Sequence, residues 1–234
     1  MLTNAEIKRL KSLKEKKFRD EYGQFVVEGE KLVQEALESG FNVSAIYREC
    51  EIGTEAMSRI SSLNSPSPVL AVVDKPKPGK LALDRGLYLG LDSVRDPGNI
   101  GTILRLADWF GINTVFASMD SVEIYNPKVV QASMGSIFRV KTVYCDLAEI
   151  CKRFRSADMP VYGTFLDGTP LYGTSLGDEG LIVMGNEAKG ISNEVERVCS
   201  SRLLIPSFAK GRGPESLNVA AATAIMLSEF RRRV

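Results

Sequence analysis

Apolar residues near the start of the chain recur at helical spacing. Ile7, Leu10 and Phe18, with Lys14 between them, fall on one face of residues 5–19. Basic residues predominate in the rest of that stretch: Lys8, Arg9, Lys11, Lys16, Lys17 and Arg19. Leu32, Val33, Ala36 and Leu37 mark a second amphipathic helix over 29–39, with Gly40 as its stop. Short apolar runs at 44–47 and 69–73 predict strands. Beyond residue 80 the pattern becomes regular. Strands are predicted over 87–91, 114–117, 138–144, 161–165, 181–184 and 202–205. Helices are predicted over 99–110, 127–134, 147–155, 193–199 and 217–233. Strands alternating with helices imply an α/β fold with a mostly parallel sheet and helices on both faces.

Between the two patterns lies Asp74-Lys75-Pro76-Lys77-Pro78-Gly79-Lys80. Proline stiffens such a segment and bars it from a sheet, so residues 75–82 read as a linker. This predicts a small α/β domain over 1–74 and a larger one over 83–234. In the last helix Ser216 can cap the first amides. Val219, Ala222, Thr223, Ile225, Met226 and Phe230 give it a broad apolar surface, and Arg231, Arg232 and Arg233 complement its dipole.

Composition narrows the chemistry. The 234 residues are 44% hydrophobic and 25% charged, which is ordinary for a globular protein. There is no histidine, so a Ser-His-Asp triad, a Cys-His dyad and a histidine-bound zinc are excluded, and no metal is expected. Cys50, Cys145, Cys151 and Cys199 show no CxxC spacing and read as reduced thiols. No apolar run is long enough to span a bilayer, and the first six residues lack the layout of a signal peptide, so a cytoplasmic protein is expected. A net charge of +1 means that any nucleic-acid contact must rest on local positive charge, and the basic face of 8–19 is the candidate.

Three segments carry candidate chemistry. The first, Asp92-Ser93-Val94-Arg95-Asp96-Pro97-Gly98-Asn99-Ile100-Gly101-Thr102-Ile103-Leu104-Arg105, leaves a buried strand, turns, and enters a helix. Ligands bind at such strand ends in open α/β sheets. By spacing alone, the same residues read more readily as a helix N-terminus with a solvated arginine. The second, Met184-Gly185-Asn186-Glu187-Ala188-Lys189-Gly190-Ile191-Ser192, places an acidic residue between two glycines after an apolar strand. Glycine lets a ligand approach the backbone, although a plain turn has the same composition. It is neither a P-loop nor a GxGxxG fingerprint. The third runs from Leu204 through Ile205-Pro206-Ser207-Phe208-Ala209-Lys210-Gly211-Arg212-Gly213-Pro214-Glu215 to Ser216-Leu217-Asn218-Val219. Alone, Ser216 would be an ordinary cap and Asn218 a polar residue of the first turn.

In this order the three segments resemble motifs 1, 2 and 3 of the SpoU (TrmH-like) branch of the SPOUT RNA methyltransferases, over roughly residues 86–231. The run Pro127-Lys128-Val129-Val130-Gln131-Ala132-Ser133-Met134-Gly135-Ser136-Ile137-Phe138 is similar to another segment of that branch. Phe25-Val26-Val27-Glu28-Gly29-Glu30-Lys31-Leu32-Val33 resembles the small L30e-like domain that binds substrate in many such enzymes.

The resemblance implies a SPOUT fold whose C-terminal part forms a deep trefoil knot, preceded by the L30e-like domain. It implies a homodimer that transfers a methyl group from S-adenosylmethionine to a ribose 2′-hydroxyl of RNA, with rRNA favoured over tRNA. Asn99, Arg105, Glu187, Ser216 and Asn218 fall on catalytic motif positions. Thr164, Gly185, Asn186, Glu187, Gly190, Ile205, Ser216, Leu217 and Asn218 fall on cofactor-binding ones. Lys8, Arg9, Lys11, Lys16, Lys17, Arg19, Arg105, Lys210 and Arg212 are the expected RNA contacts. Asn99 is expected to orient Arg105, with Glu187 beside the arginine. The loop between Pro206 and Ser216 is longer than in many relatives. A non-catalytic RNA-binding assembly factor of the same fold is the alternative. A Rossmann-type small-molecule enzyme fits poorly, because Asp96-Pro97-Gly98-Asn99 is not a glycine-rich first turn.

Overall fold

The computed structural model describes residues 2–77, 79, 83–210 and 215–232. In chain order the elements are α1 (Asn4–Ser12), α2 (Lys16–Tyr22), β1 (Gln24–Glu28), α3 (Glu30–Glu38), β2 (Val43–Arg48), α4 (Glu49–Ile52), α5 (Thr54–Ile60) and β3 (Val69–Asp74). Then follow β4 (Leu87–Leu91), α6 (Pro97–Trp109), β5 (Thr114–Ser118), α7 (Pro127–Ser133), β6 (Lys141–Cys145), α8 (Leu147–Ser156), β7 (Val161–Pro170), β8 (Gly180–Met184), α9 (Asn193–Glu196), β9 (Ser201–Leu204) and α10 (Val219–Arg231).

The chain forms two compact units that do not follow a single cut in the sequence. One comprises Met1–Lys80 together with Glu123–Arg139, and the other Leu81–Val122 together with Val140–Val234.

In the first unit β1, β3 and β2 form an antiparallel sheet with β3 central. Val69 to Val73 of β3 are buried, which explains their unbroken apolar run. The helix expected over 5–19 is two helices. Thr3 and Glu6 form a capping box at the start of α1, and the chain turns after Ser12 so that Leu13 enters the core. The turn also redirects Arg19. Sequence grouped Arg19 with the basic face, but it is 2% exposed, bonded to Glu123 at 2.5 Å and to the Leu13 and Lys14 carbonyls. A buried guanidinium needs such partners, so Arg19 is structural and leaves the expected RNA contacts.

Residues 123–139 complete this unit. Phe25 is fully buried, with Tyr125 4.5 Å away between ring centres and Phe41 and Phe138 at 6.4 Å. Lys75, at the start of the expected linker, bonds Asp20 and Glu123. Pro78 and residues 80–82 of that linker lie outside the described residues.

In the second unit six strands run parallel in the order β6-β5-β4-β8-β7-β9. The chain builds outward from β4 through β5 to β6, then returns to fill the other side of β4. The strand order therefore reverses between β4 and β8. A reversal in a parallel sheet opens a crevice beyond the carboxyl ends of the two strands, because their connections leave in opposite directions. The first and second candidate segments follow these two strands. β4 matches the expected 87–91, and the other strands of this sheet shift by a few residues at their ends. The largest differences are at 138–140, where the chain takes a 3-10 turn (Ser136–Phe138) before β6 begins, and at β7, which runs on to Pro170 through a bulge between Thr164 and Thr169.

Candidate functional site

The loop after β4 begins with a strained residue. Ser93 has φ +58, uncommon for a residue with a Cβ. Three contacts hold it there. Its amide donates to Ser118 Oγ at 2.8 Å, its hydroxyl donates to Asp120 Oδ2 at 2.7 Å, and its carbonyl accepts from Asn186 Nδ2 at 2.6 Å. Arg95 also bonds Asp120, at 3.0 Å. Hydrogen bonds from Ser93 and Ser118 pull the Asp120 carboxyl down to about 2, against the opposing effect of partial burial. Asp120 was not singled out in the sequence. It stands in the turn after β5, and only the sheet brings that turn beside the loop after β4.

Asp96 then caps α6 by accepting from the Asn99 amide at 2.8 Å, with Pro97 in the first turn. This sets Asn99 at the mouth of the helix. After β8, Asn186 closes a tight turn: its amide and carbonyl pair with Gly190, and its Oδ1 accepts from the amides of Ala188 and Lys189 at 3.0 Å. With Nδ2 committed to Ser93, the Asn186 side chain ties the second segment to the first. Gly185 is required on steric grounds, since a Cβ there would run into the Gly190–Ile191 peptide. Buried Asp92 adds a further tie by accepting from the Ser192 amide at 2.7 Å.

The turn presents Glu187 to the first segment. Asn99 Nδ2 donates to Glu187 Oε1 at 2.9 Å, and the Asp96 and Arg95 amides approach the carboxylate at 3.3 and 3.5 Å. Burial raises the Glu187 pKa. Hydrogen bonds from Asn99, from its own amide and from the Asp96 and Arg95 amides outweigh that effect and leave it below the usual value. Asn218 supplies the third segment. Its Nδ2 donates to Asn99 Oδ1 at 2.9 Å, while its Oδ1 accepts from the Ala220 and Ala221 amides. Asn218 is thus the N-cap of α10. This corrects the assignment of that role to Ser216, which is exposed two residues upstream.

Asn99, Glu187 and Asn218 therefore meet. Arg105 does not join them by any hydrogen bond. It is exposed, between one and two turns further along α6, and bonds no described residue. The expectation that Asn99 orients Arg105 is corrected: both Asn99 side-chain bonds go to Glu187 and Asn218. Thr164, on β7 beside β8, donates to the Val183 carbonyl at 2.9 Å. Ile205 follows β9 and is half-buried, Leu217 is exposed beside Asn218, and Gly190 has φ +71. Lys210 is exposed in the loop after β9, and Arg212 lies outside the described residues. In the first unit Lys8, Arg9, Lys11, Lys16 and Lys17 are exposed.

Three chain segments that are remote in sequence are thus locked together at the carboxyl end of a parallel sheet. The sequence model of the SpoU rRNA methylase family matches residues 86–228, and that of the MRM3-like substrate binding domain matches residues 4–72. The chain belongs to the SpoU rRNA methylase family. Among SpoU relatives it is 30% identical to the 23S rRNA (guanosine(2553)-2′-O)-methyltransferase of Bacillus subtilis, over 97% of this chain and 96% of that protein. A solved structure of a TrmH-family protein from Porphyromonas gingivalis superposes with a TM-score of 0.91 at 41% identity, covering 100% of both chains. An AdoMet-bound rRNA methyltransferase from Sinorhizobium meliloti superposes with a TM-score of 0.88 at 30% identity, covering 100% of this chain and 97% of that one. The SpoU match contains all three segments, and its fold places the Asn99–Glu187–Asn218 cluster at the strand-order reversal.

Proposed function

We propose that this SpoU-family protein is an RNA 2′-O-ribose methyltransferase that uses S-adenosylmethionine and acts on rRNA in the cytoplasm. The observation that carries this reading is the bonded chain Glu187–Asn99–Asn218, which fastens all three family segments at one sheet end. The B. subtilis relative's rRNA ribose methylation and the AdoMet bound to the S. meliloti relative supply the substrate class and the cofactor.

The residues present suit that cofactor. Adenosine and methionine groups offer hydroxyl and amino donors, and the loops that follow β8 and β9 offer the Glu187 carboxylate and the backbone beyond Met184 and Leu204, whose own carbonyls are taken by the Asp92 and Leu171 amides. Thr164, Gly185, Asn186, Gly190, Ile205 and Leu217, with Ser216 beside them, would line the cofactor pocket. When bound, the cofactor supplies a methyl group already activated by a positively charged sulfur.

The chain's own task is to hold and orient the ribose. Arg105 binds the 2′-oxygen or the adjoining phosphate and stabilises the negative charge that develops on the oxygen. A guanidinium stays protonated, so Arg105 acts by charge and hydrogen bonding and not as a base. Its freedom from any partner among the described residues supports this role. Asn99 and Asn218 position the helix starts, and Glu187 fixes the loops of the first two segments. Alignment of this kind supplies several kcal/mol, up to about 7–11 in the best cases. Lys8, Arg9, Lys11, Lys16 and Lys17, with Lys210 of the second unit, contact RNA phosphates. The active form is a homodimer, in which the 85%-exposed Trp109 at the end of α6 would be covered.

Mapping 2′-O-methyl marks on rRNA from cells lacking the protein tests the assignment. One ribose mark disappears, and purified protein with labelled S-adenosylmethionine restores it. Unaltered rRNA marks, with no transfer to that rRNA in vitro, would refute the reading.

A further inference from the structure

The loop between β9 and α10 leaves the carboxyl end of the sheet at Leu204 and returns at Asn218, inside the bonded cluster. Within it Phe208 is 83% exposed, and its ring contacts no other ring or cation among the described residues. The side chain is held out by local structure. Pro206 restricts the entry to the loop, and the Ala209 amide donates to Ser207 Oγ at 3.3 Å, closing a small turn with Phe208 at its middle. Two residues on, Lys210 is exposed and bonds no described residue.

We propose that Phe208 is a stacking platform for an unpaired nucleobase of the RNA substrate, with Lys210 binding the adjoining phosphate. The proposal rests on the methyltransferase reading above and extends it to how the target strand is gripped. An exposed aromatic face beside an exposed cation is the pairing that single-stranded nucleic acid requires, because every base has a π-face and every nucleotide a negative charge. A turn that already projects the ring lowers the ordering cost of binding. The loop is anchored at both ends to the sheet edge that carries Glu187, Asn99 and Asn218, so a base stacked on Phe208 belongs to a nucleotide near the methylated ribose.

The test compares Phe208→Ala, Phe208→Leu and Phe208→Trp in the full chain. One readout is the KM for rRNA from cells lacking the protein. A second is binding of a single-stranded adenine oligonucleotide carrying 2-aminopurine, whose fluorescence falls on stacking. A third is affinity for S-adenosylmethionine. Phe208→Ala raises the rRNA KM about fivefold or more, the lower end of the loss for one stacked base, and removes the quenching. Phe208→Trp retains both, Phe208→Leu does not, and cofactor affinity stays within about twofold in all three.

Wild-type-like KM and quenching in Phe208→Ala would overturn the proposal. So would full rescue by leucine, which means packing and not stacking. An equal loss of cofactor affinity would make Phe208 part of the cofactor pocket, and a shift from dimer to monomer in sedimentation would make it an interface residue; either overturns the stacking role. Quenching does not depend on turnover. An enzyme inactive on rRNA that still shows Phe208-dependent quenching therefore fails the substrate assignment alone.

Discussion

The carboxamide of Asn99 is bonded at both ends, its nitrogen donating to Glu187 and its oxygen accepting from Asn218, each at 2.9 Å. Asparagine is the one common side chain of this size with a donor and an acceptor back to back. Asn99→Asp keeps the shape but sets a second carboxylate against Glu187. The contact then holds only while the two share a proton, and at neutral pH the facing carboxylates repel instead. At neutral pH kcat drops by about 100-fold, the scale of a small misalignment. The variant regains rate as the pH is lowered and the shared proton returns. A pH–rate profile that parallels the wild type at reduced height would count against this account.

Arg105 has no partner among the described residues, so removing it strands no buried group. Arg105→Ala keeps the wild-type melting temperature and S-adenosylmethionine affinity but abolishes methyl transfer. Arg105→Lys recovers little, because an ammonium cannot reproduce a bidentate fork. Calorimetric titration with cofactor beside a transfer assay checks both. Full turnover in the alanine variant would remove Arg105 from the mechanism.

The strained Ser93 gives a pH signature. Asp120 has a folded pKa of about 2 against an ordinary value of 3.8. A depressed carboxylate stabilises the fold fully above its unfolded pKa, and the contribution fades as pH falls through the folded one. The wild type therefore loses this contribution between about pH 4 and pH 2, as Asp120 takes up a proton. Glu187 adds a loss of the same sign below its ordinary value of 4.5. Asp120→Asn flattens the acid limb of the stability curve, measured by denaturant melts from about pH 2 to about pH 7. It also lowers kcat more than it raises the cofactor KM, since the loop holding Glu187 loosens.

Two glycines of one turn separate steric from conformational need. At Gly185 a Cβ meets the backbone of Gly190 and Ile191, whereas at Gly190 there is open space but φ is +71. Gly190→Ala costs about 1 kcal/mol, the ordinary penalty for a left-handed alanine. Gly185→Ala costs more and weakens cofactor binding, because the turn itself must move. Equal melting temperatures for the two variants would contradict the steric argument.

Arg19 and its basic neighbours separate folding from RNA binding. Arg19→Met leaves Glu123 and two carbonyls short of a partner and destabilises on the order of 3 kcal/mol. Lys8→Ala, Lys11→Ala and Lys17→Ala combined leave stability within about 0.5 kcal/mol per site. The triple variant reduces the slope of log K for RNA against log salt, by up to about 0.7 for each phosphate of single-stranded RNA that is no longer neutralised. An unchanged slope would remove that face from the footprint.

The amino-acid sequence by itself determined the order of strands and helices in the larger unit, its parallel character and the three segments that carry the chemistry. It could do so because a strand buried on both faces must be apolar throughout, and because turns between strand and helix need glycine, proline and capping residues at fixed places. It misplaced the cap of α10. Ser216 and Asn218 are both good caps, and the choice falls to Asn218 because its amide also finds Asn99, 119 residues away. It placed Arg19 on the surface, because the break that buries it depends on Glu123, 104 residues further on. Asp120 and the Asn186–Ser93 tie were invisible for the same reason. Hydrophobic periodicity is a local property, whereas a polar group's partner is set by which strand ends lie side by side, and only the folded sheet decides that.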